Sequence, residues 1–129
     1  MRINKQCIAD ILLYVEEHTD SERECVFLEE LVENLPYSKD VLICHIREMN
    51  SDSLKLFKSV DYSDDTVESV YSLSHEGNEL ANLIHEKIEE KDNETYLKQV
   101  KSIGAMIGNQ VLKTAIEAVV TAYLTKMGM

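Results

Sequence analysis

Apolar residues recur at three- and four-residue intervals from Ile3 through Cys7, Ile8, Ile11 and Leu12 to Val15, while Lys5, Asp10, Glu16 and Glu17 fall off that stripe. The spacing predicts an amphipathic helix over 3–18, because a 3.6-residue turn gathers such positions on one face. The polar residues 18–24 then form a loop, and Cys25, Val26 and Phe27 predict a short strand. Leu28, Leu31, Val32 and Leu35 line one face of a second helix, with Glu29, Glu30 and Glu33 toward solvent. This helix must stop before Pro36, since the residue ahead of a proline is driven out of the α region. Ser38 suits the N-cap of a third helix, Asp40 its positive first turn, and Leu42, Ile46 and Met49 its buried stripe.

Leu54, Leu56, Lys58, Val60 and Tyr62 alternate with other residues, as do Val67, Ser69, Tyr71 and Leu73, and Ser63, Asp64 and Asp65 separate the two runs. That pattern predicts a β-hairpin. Ser74 caps a fourth helix with Leu80, Leu83, Ile84 and Ile88 inward, which runs out in the charged residues 86–94, a candidate hinge. Beyond it, Tyr96, Leu97, Val100, Ile103 and Ile107 make one stripe, and Leu112, Ala115, Ile116, Val119, Val120, Tyr123, Leu124 and Met127 another. Gly104 and Gly108 lie between them, each weakening a continuous helix by roughly 1 kcal/mol relative to Ala, so a break is expected there.

The expected fold class is therefore mainly α with a small β-hairpin (α+β). Helix, short strand, helix, tight turn, helix and hairpin is the order of a winged helix-turn-helix, here over 1–90, followed by a C-terminal helical extension over 91–129. Ile11, Leu31, Ile46 and Leu73 are expected to meet in one apolar centre. A length of 129 residues fits one domain with an appendage. With 44% hydrophobic and 29% charged residues the chain is of the folded class, and four Gly and one Pro leave the structure to helices.

Cys7, Cys25 and Cys44 are odd in number and form no C-x-x-C pair, which favours a reducing compartment. No leader-like basic and apolar run opens the chain, and no uncharged apolar stretch is long enough to cross a bilayer; a cytoplasmic, non-membrane protein is expected. Residues 1–94 carry nine Lys/Arg against twenty-three Asp/Glu, a net −14, whereas residues 95–129 carry four Lys against Glu117, a net +3. Phosphate binding needs a basic footprint, so such a body starts at a disadvantage on nucleic acid.

Two stretches sharpen the fold reading. Ser38-Lys39-Asp40-Val41-Leu42-Ile43-Cys44-His45-Ile46-Arg47-Glu48-Met49 resembles the recognition helix of winged-helix repressors, and Tyr71-Ser72-Leu73-Ser74-His75-Glu76-Gly77-Asn78-Glu79-Leu80 resembles their second wing strand entering a capped helix. Gly77 would there allow close packing of helix on sheet. With Ile8 to Glu17, His45-Ile46-Arg47 and the Gly-containing tail around Ile103 to Ala118 included, the chain also resembles a phage- and prophage-associated family known only as a domain of unknown function. That resemblance implies a winged helix in a mobile-element setting and no activity. The loop before Leu54 lacks the glycine usual in winged helices.

A third helix that buries Leu42, Ile46 and Met49 turns Asp40, Cys44, Arg47, Glu48 and Ser51 outward, with Lys39 and Ile43 on the flanks. In a DNA-binding member Lys39, Ile43 and Arg47 would meet base edges or phosphates, and Lys55 and Lys58 on the wing would meet phosphates. Asp40 and Glu48 cancel the two helix charges, so two readings stand together. One is a DNA-binding transcriptional regulator acting as an oligomer on successive half-sites of duplex DNA; the other is an acidic scaffold for a protein partner.

The tail carries a wide apolar face, and Leu112, Ile116, Val119 and Tyr123 are candidates for homo-oligomerisation, the alternative being that this helix folds back on its own domain. No catalytic constellation is visible. His18, His45, His75 and His85 lack metal-site spacing, Cys44 and His45 are adjacent on one helix and diverge, and no Gly-rich phosphate cradle occurs. No enzyme activity, metal or cofactor is expected.

Overall fold

The computed structural model describes residues 3–64, 66–90 and 110–127. Asn4 starts the first helix, α1 (Lys5–His18), by accepting the backbone N–H groups of Gln6 and Cys7 on its Oδ1 at 2.9 and 3.2 Å. Two of the four N–H groups that any helix leaves unpaired are thereby satisfied. The expected one-sided stripe is corrected here: every residue from Gln6 to Val15 is buried, Asp10 included. α1 is a central helix, touched by the third, fourth and last helices and by the first strand. A polar residue survives in such a place only when bonded, and Asp10 accepts Gln6 Nε2 at 2.9 Å and the Tyr37 hydroxyl at 2.5 Å.

Strand β1 (Cys25–Phe27) leads directly into α2 (Leu28–Asn34), which ends ahead of Pro36 as the sequence requires. Leu28, Leu31 and Leu35 are buried, but Val32 lies on the exposed side. Glu30 is not simply solvated, because it accepts the Tyr14 hydroxyl at 2.6 Å and pairs with Arg23. Burial alone would raise its pKa, yet the hydrogen bonds from Tyr14 and Arg23 and the Arg23 charge outweigh that and hold it below the ordinary glutamate value. A depressed carboxylate stabilises the fold above its unfolded pKa and ceases to do so as pH falls through the folded one. Glu30→Gln should therefore lower the urea midpoint near neutrality, and the gap from the parent should close as pH falls through and below the ordinary glutamate value. A gap that persists at the acid end would remove the charge from this account.

α3 (Lys39–Met49) is capped by Ser38, whose Oγ accepts Val41 N–H at 3.3 Å. Leu42, Ile46 and Met49 are buried, as their spacing predicts. The regular hairpin is shorter than the alternation suggested: β2 (Val60–Ser63) and β3 (Thr66–Tyr71) pair, while residues 54–59 form a loop that continues the pairing in part, with Phe57 bridged to Leu73 and Lys58 N–H donating to Ser72 O at 2.8 Å. Leu54, Leu56 and Phe57 all enter the core from that loop, so their side chains do not alternate between faces as strand residues do. β1 pairs β3 on its other side, giving an antiparallel sheet in the order β1-β3-β2 with Val26 and Val60 both opposite Val70. A register shift between Asp61 and Tyr62 bends the outer strand.

Ser74 ties this loop to α4 (His75–Glu90). Its N–H donates to Leu56 O at 3.0 Å, its hydroxyl donates to Lys55 O at 2.5 Å, and the same oxygen accepts Gly77 N–H at 3.1 Å. Residues 86–90, the first part of the expected hinge, continue α4 as helix; residues 91–109, with the rest of that hinge, the stripe Tyr96 to Ile107 and the break at Gly104 and Gly108, lie outside the described residues. The last helix, α5 (Gln110–Lys126), packs on α1 and α4, and its Ile116, Val120, Tyr123 and Leu124 join the same buried cluster as Ile11, Leu31, Ile46 and Leu73. The Tyr123 hydroxyl donates to Glu76 O at 3.2 Å, fastening α5 to the first turn of α4.

Candidate functional site

α3 is held rigidly from its inner side. His45 is buried at the α1 boundary, its Nδ1 lying 2.7 Å from Val41 O and its Nε2 accepting the Asn4 N–H at 2.9 Å. A carbonyl can only accept, so Nδ1 carries the proton and the ring is in one neutral tautomer. One side chain thus fixes the middle of α3 to the N-cap of α1. Its signal in the sequence was its spacing, three residues after Leu42 and four before Met49, which places it on the buried face.

The outer side of α3 is uncovered among the described residues. Asp40, Ile43, Cys44, Arg47 and Glu48 line a shallow hollow of about 440 Å³ there. The hairpin reaches this face through Tyr62, which the sequence reading did not single out. Asn50 Nδ2 donates to the Tyr62 hydroxyl at 3.1 Å, and the Arg47 guanidinium sits 5.9 Å from the Tyr62 ring centre. A cation over an exposed ring contributes on the order of 0.5–1 kcal/mol, enough to bias where the guanidinium rests.

Three of the cations proposed from the sequence line three different hollows. Lys39 borders a separate hollow of about 390 Å³ with Phe27, Glu29, Val67 and Glu68. Lys58 opens into a third, of about 490 Å³, with Glu16, Asp20 and Glu24. The Asp20 carboxylate there is held below its ordinary value by the backbone N–H groups of Arg23 and Glu22, and so keeps its charge. Lys55 is exposed at a positive φ of 46°, with its carbonyl engaged by Ser74. Lys39 and Arg47 share one helix, but each lines its own hollow, and carboxylates line both.

Of the residues proposed for self-association, Ile116 and Tyr123 are buried against this chain's own α1 and α4, and Val119 is half-buried beside them. Ile116 and Tyr123 are thus placed as the fold-back alternative places them. The Leu112 side chain lies outside the described residues.

The three cysteines are free thiols. Burial, with Asp10 and Cys44 adding to it, pushes the Cys7 thiol up to about 12, so it stays protonated and inert. Cys44 by contrast borders the α3 hollow. Among the described residues no group of three His, Cys, Asp or Glu is placed to hold a metal ion, and no helix is long and apolar enough to cross a membrane.

No family model, curated protein or solved structure matches the chain. The geometry of the α3 face and the charges around it must carry the functional reading by themselves.

Proposed function

We propose that this chain is a non-enzymatic winged-helix interaction module whose α3 and hairpin face docks a protein partner bearing basic groups. The element order and the β1-β3-β2 sheet support the winged-helix reading, since that fold places its third helix outward beside a two-stranded wing. A phage- or prophage-type setting belongs to the same proposal and rests on the resemblance of its motifs, and a cytoplasmic one rests on the unpaired cysteine pattern.

One observation carries the choice of a protein over DNA. Each of Lys39, Arg47 and Lys58 shares its hollow with at least two carboxylates: Glu29 and Glu68, Asp40 and Glu48, and Glu16, Asp20 and Glu24 respectively. Phosphate contacts draw their energy from counterion release by clustered cations, and carboxylates at the same distance oppose it. Screening beyond about 8–10 Å removes a distant acidic face but not neighbours in one hollow.

The uncovered outer face of α3 favours a second reading, in which an oligomer presents Lys39, Ile43 and Arg47 to duplex DNA as a transcriptional regulator. Polarisation of a labelled duplex at about 50 mM salt separates the two, because sequence-independent binding is strongest there. The parent protein is expected to leave the duplex free, and Asp40→Lys with Glu48→Lys to gain weak, salt-sensitive binding. Tight duplex binding by the parent, abolished by Lys39→Glu with Arg47→Glu, would install the regulator reading instead.

A further inference from the structure

We propose that the hollow on the outer side of α3 receives one apolar side chain from a partner helix, flanked on that helix by two basic residues that pair with Asp40 and Glu48. This rests on the protein-partner reading and names the chemistry of the partner. Asp40 and Glu48 are eight residues apart on one helix, which at 1.5 Å per residue separates their positions by about 12 Å along the axis. Between them, on the intervening turns, Ile43 and Cys44 are half-buried and give the hollow its apolar floor. The face therefore runs acid, apolar, acid at spacings of three to five residues, the complement of a helix that runs base, apolar, base.

Arg47 does not reverse this pattern, because its guanidinium lies over the Tyr62 ring on the hairpin side. Its carboxylate neighbours remain at the two ends of the hollow. A second copy of the same face is a poor occupant, since Asp40 and Glu48 would meet their own kind. Duplex DNA is poorer still, as its phosphates would lie against both carboxylates. A helix with basic flanks satisfies both ends and covers the apolar middle.

The test uses the full chain and a labelled amphipathic helical peptide with Leu at its centre and Lys about one turn to either side on the same face. Binding is read by polarisation and, independently, by the rate at which Cys44 is alkylated, with Cys25 on β1 as the internal reference. The expected results are saturable binding, at least about tenfold slower alkylation of Cys44 alone at saturation, and about a tenfold or greater loss of affinity in Asp40→Asn with Glu48→Gln. The Cys44 readout needs no substitution, so a folding defect in a variant cannot imitate it. Replacing the central Leu by Asp in the peptide should abolish both signals. Peptide binding that leaves Cys44 equally reactive and ignores the Asp40 and Glu48 changes overturns this site while leaving an acidic partner-binding module in place. Absence of peptide binding also overturns it, and if the parent then binds a duplex at low salt, the protein-partner reading falls with it.

Discussion

Gly77→Ala should destabilise the fold by about 3 kcal/mol, against the usual direction of that substitution in a helix. Glycine inside a helix ordinarily costs roughly 1 kcal/mol relative to alanine, so an unconstrained site would gain stability from the change. At Gly77 an added Cβ would lie 2.0 Å from the Leu56 carbonyl oxygen and 3.1 Å from both Leu56 C and Leu73 Cβ. The obstacle is backbone, and that backbone is pinned. Leu56 N–H donates to Met49 O at 2.9 Å, and Leu56 O accepts Ser74 N–H at 3.0 Å. Retreat of the loop would break the Ser74 link and withdraw Leu54, Leu56 and Phe57 from the core, all of which are buried. The urea midpoint is expected to fall by roughly 1–3 M with the slope unchanged. An unchanged or higher midpoint would mean that the 54–59 loop yields freely, and the account of the Ser74–Gly77 turn as a clamp would fail.

That clamp shows what periodicity alone can and cannot deliver. α2, α3 and α4 each bury one face, and their boundaries follow from Pro36, Ser38 and Ser74 because caps and breakers act within a few residues. α1 misled because a helix enclosed on all sides has no solvent face to display. Its Gln6 and Asp10 look like surface residues until Tyr37, twenty-seven positions beyond Asp10, supplies the second hydrogen bond. The alternation from Leu54 to Tyr62 also misled, since a loop that sends Leu54, Leu56 and Phe57 inward gives a strand-like pattern. At the candidate site the split has the same cause. The outward set on α3 was readable from helical spacing, and the hollow joins those residues. The carboxylates around Lys39 and Lys58 come from α1, the loop after it, α2 and β3, and such long-range neighbours leave no local trace.

The same limit applies to the tail, where a wide apolar face is compatible with either a second copy or the chain's own body. Ile116 is fully buried in the cluster formed with α1 and α4. Truncating such a side chain removes its transfer free energy and leaves a cavity that its neighbours only partly fill, so Ile116→Ala should cost about 2–5 kcal/mol. The decisive feature is how the loss depends on concentration. A residue buried within one chain contributes to a unimolecular equilibrium, whereas one buried between copies makes the midpoint rise with protomer concentration. Parent and variant midpoints are therefore expected to stay separated by the same amount from about 2 µM to about 200 µM protein, and neither should drift. Val120, equally buried one turn further on, should behave alike on substitution by Ala. A parent midpoint that climbs with concentration, and a variant that does not, would return Ile116 and Tyr123 to an interface between copies and detach α5 from the core to which its contacts now assign it.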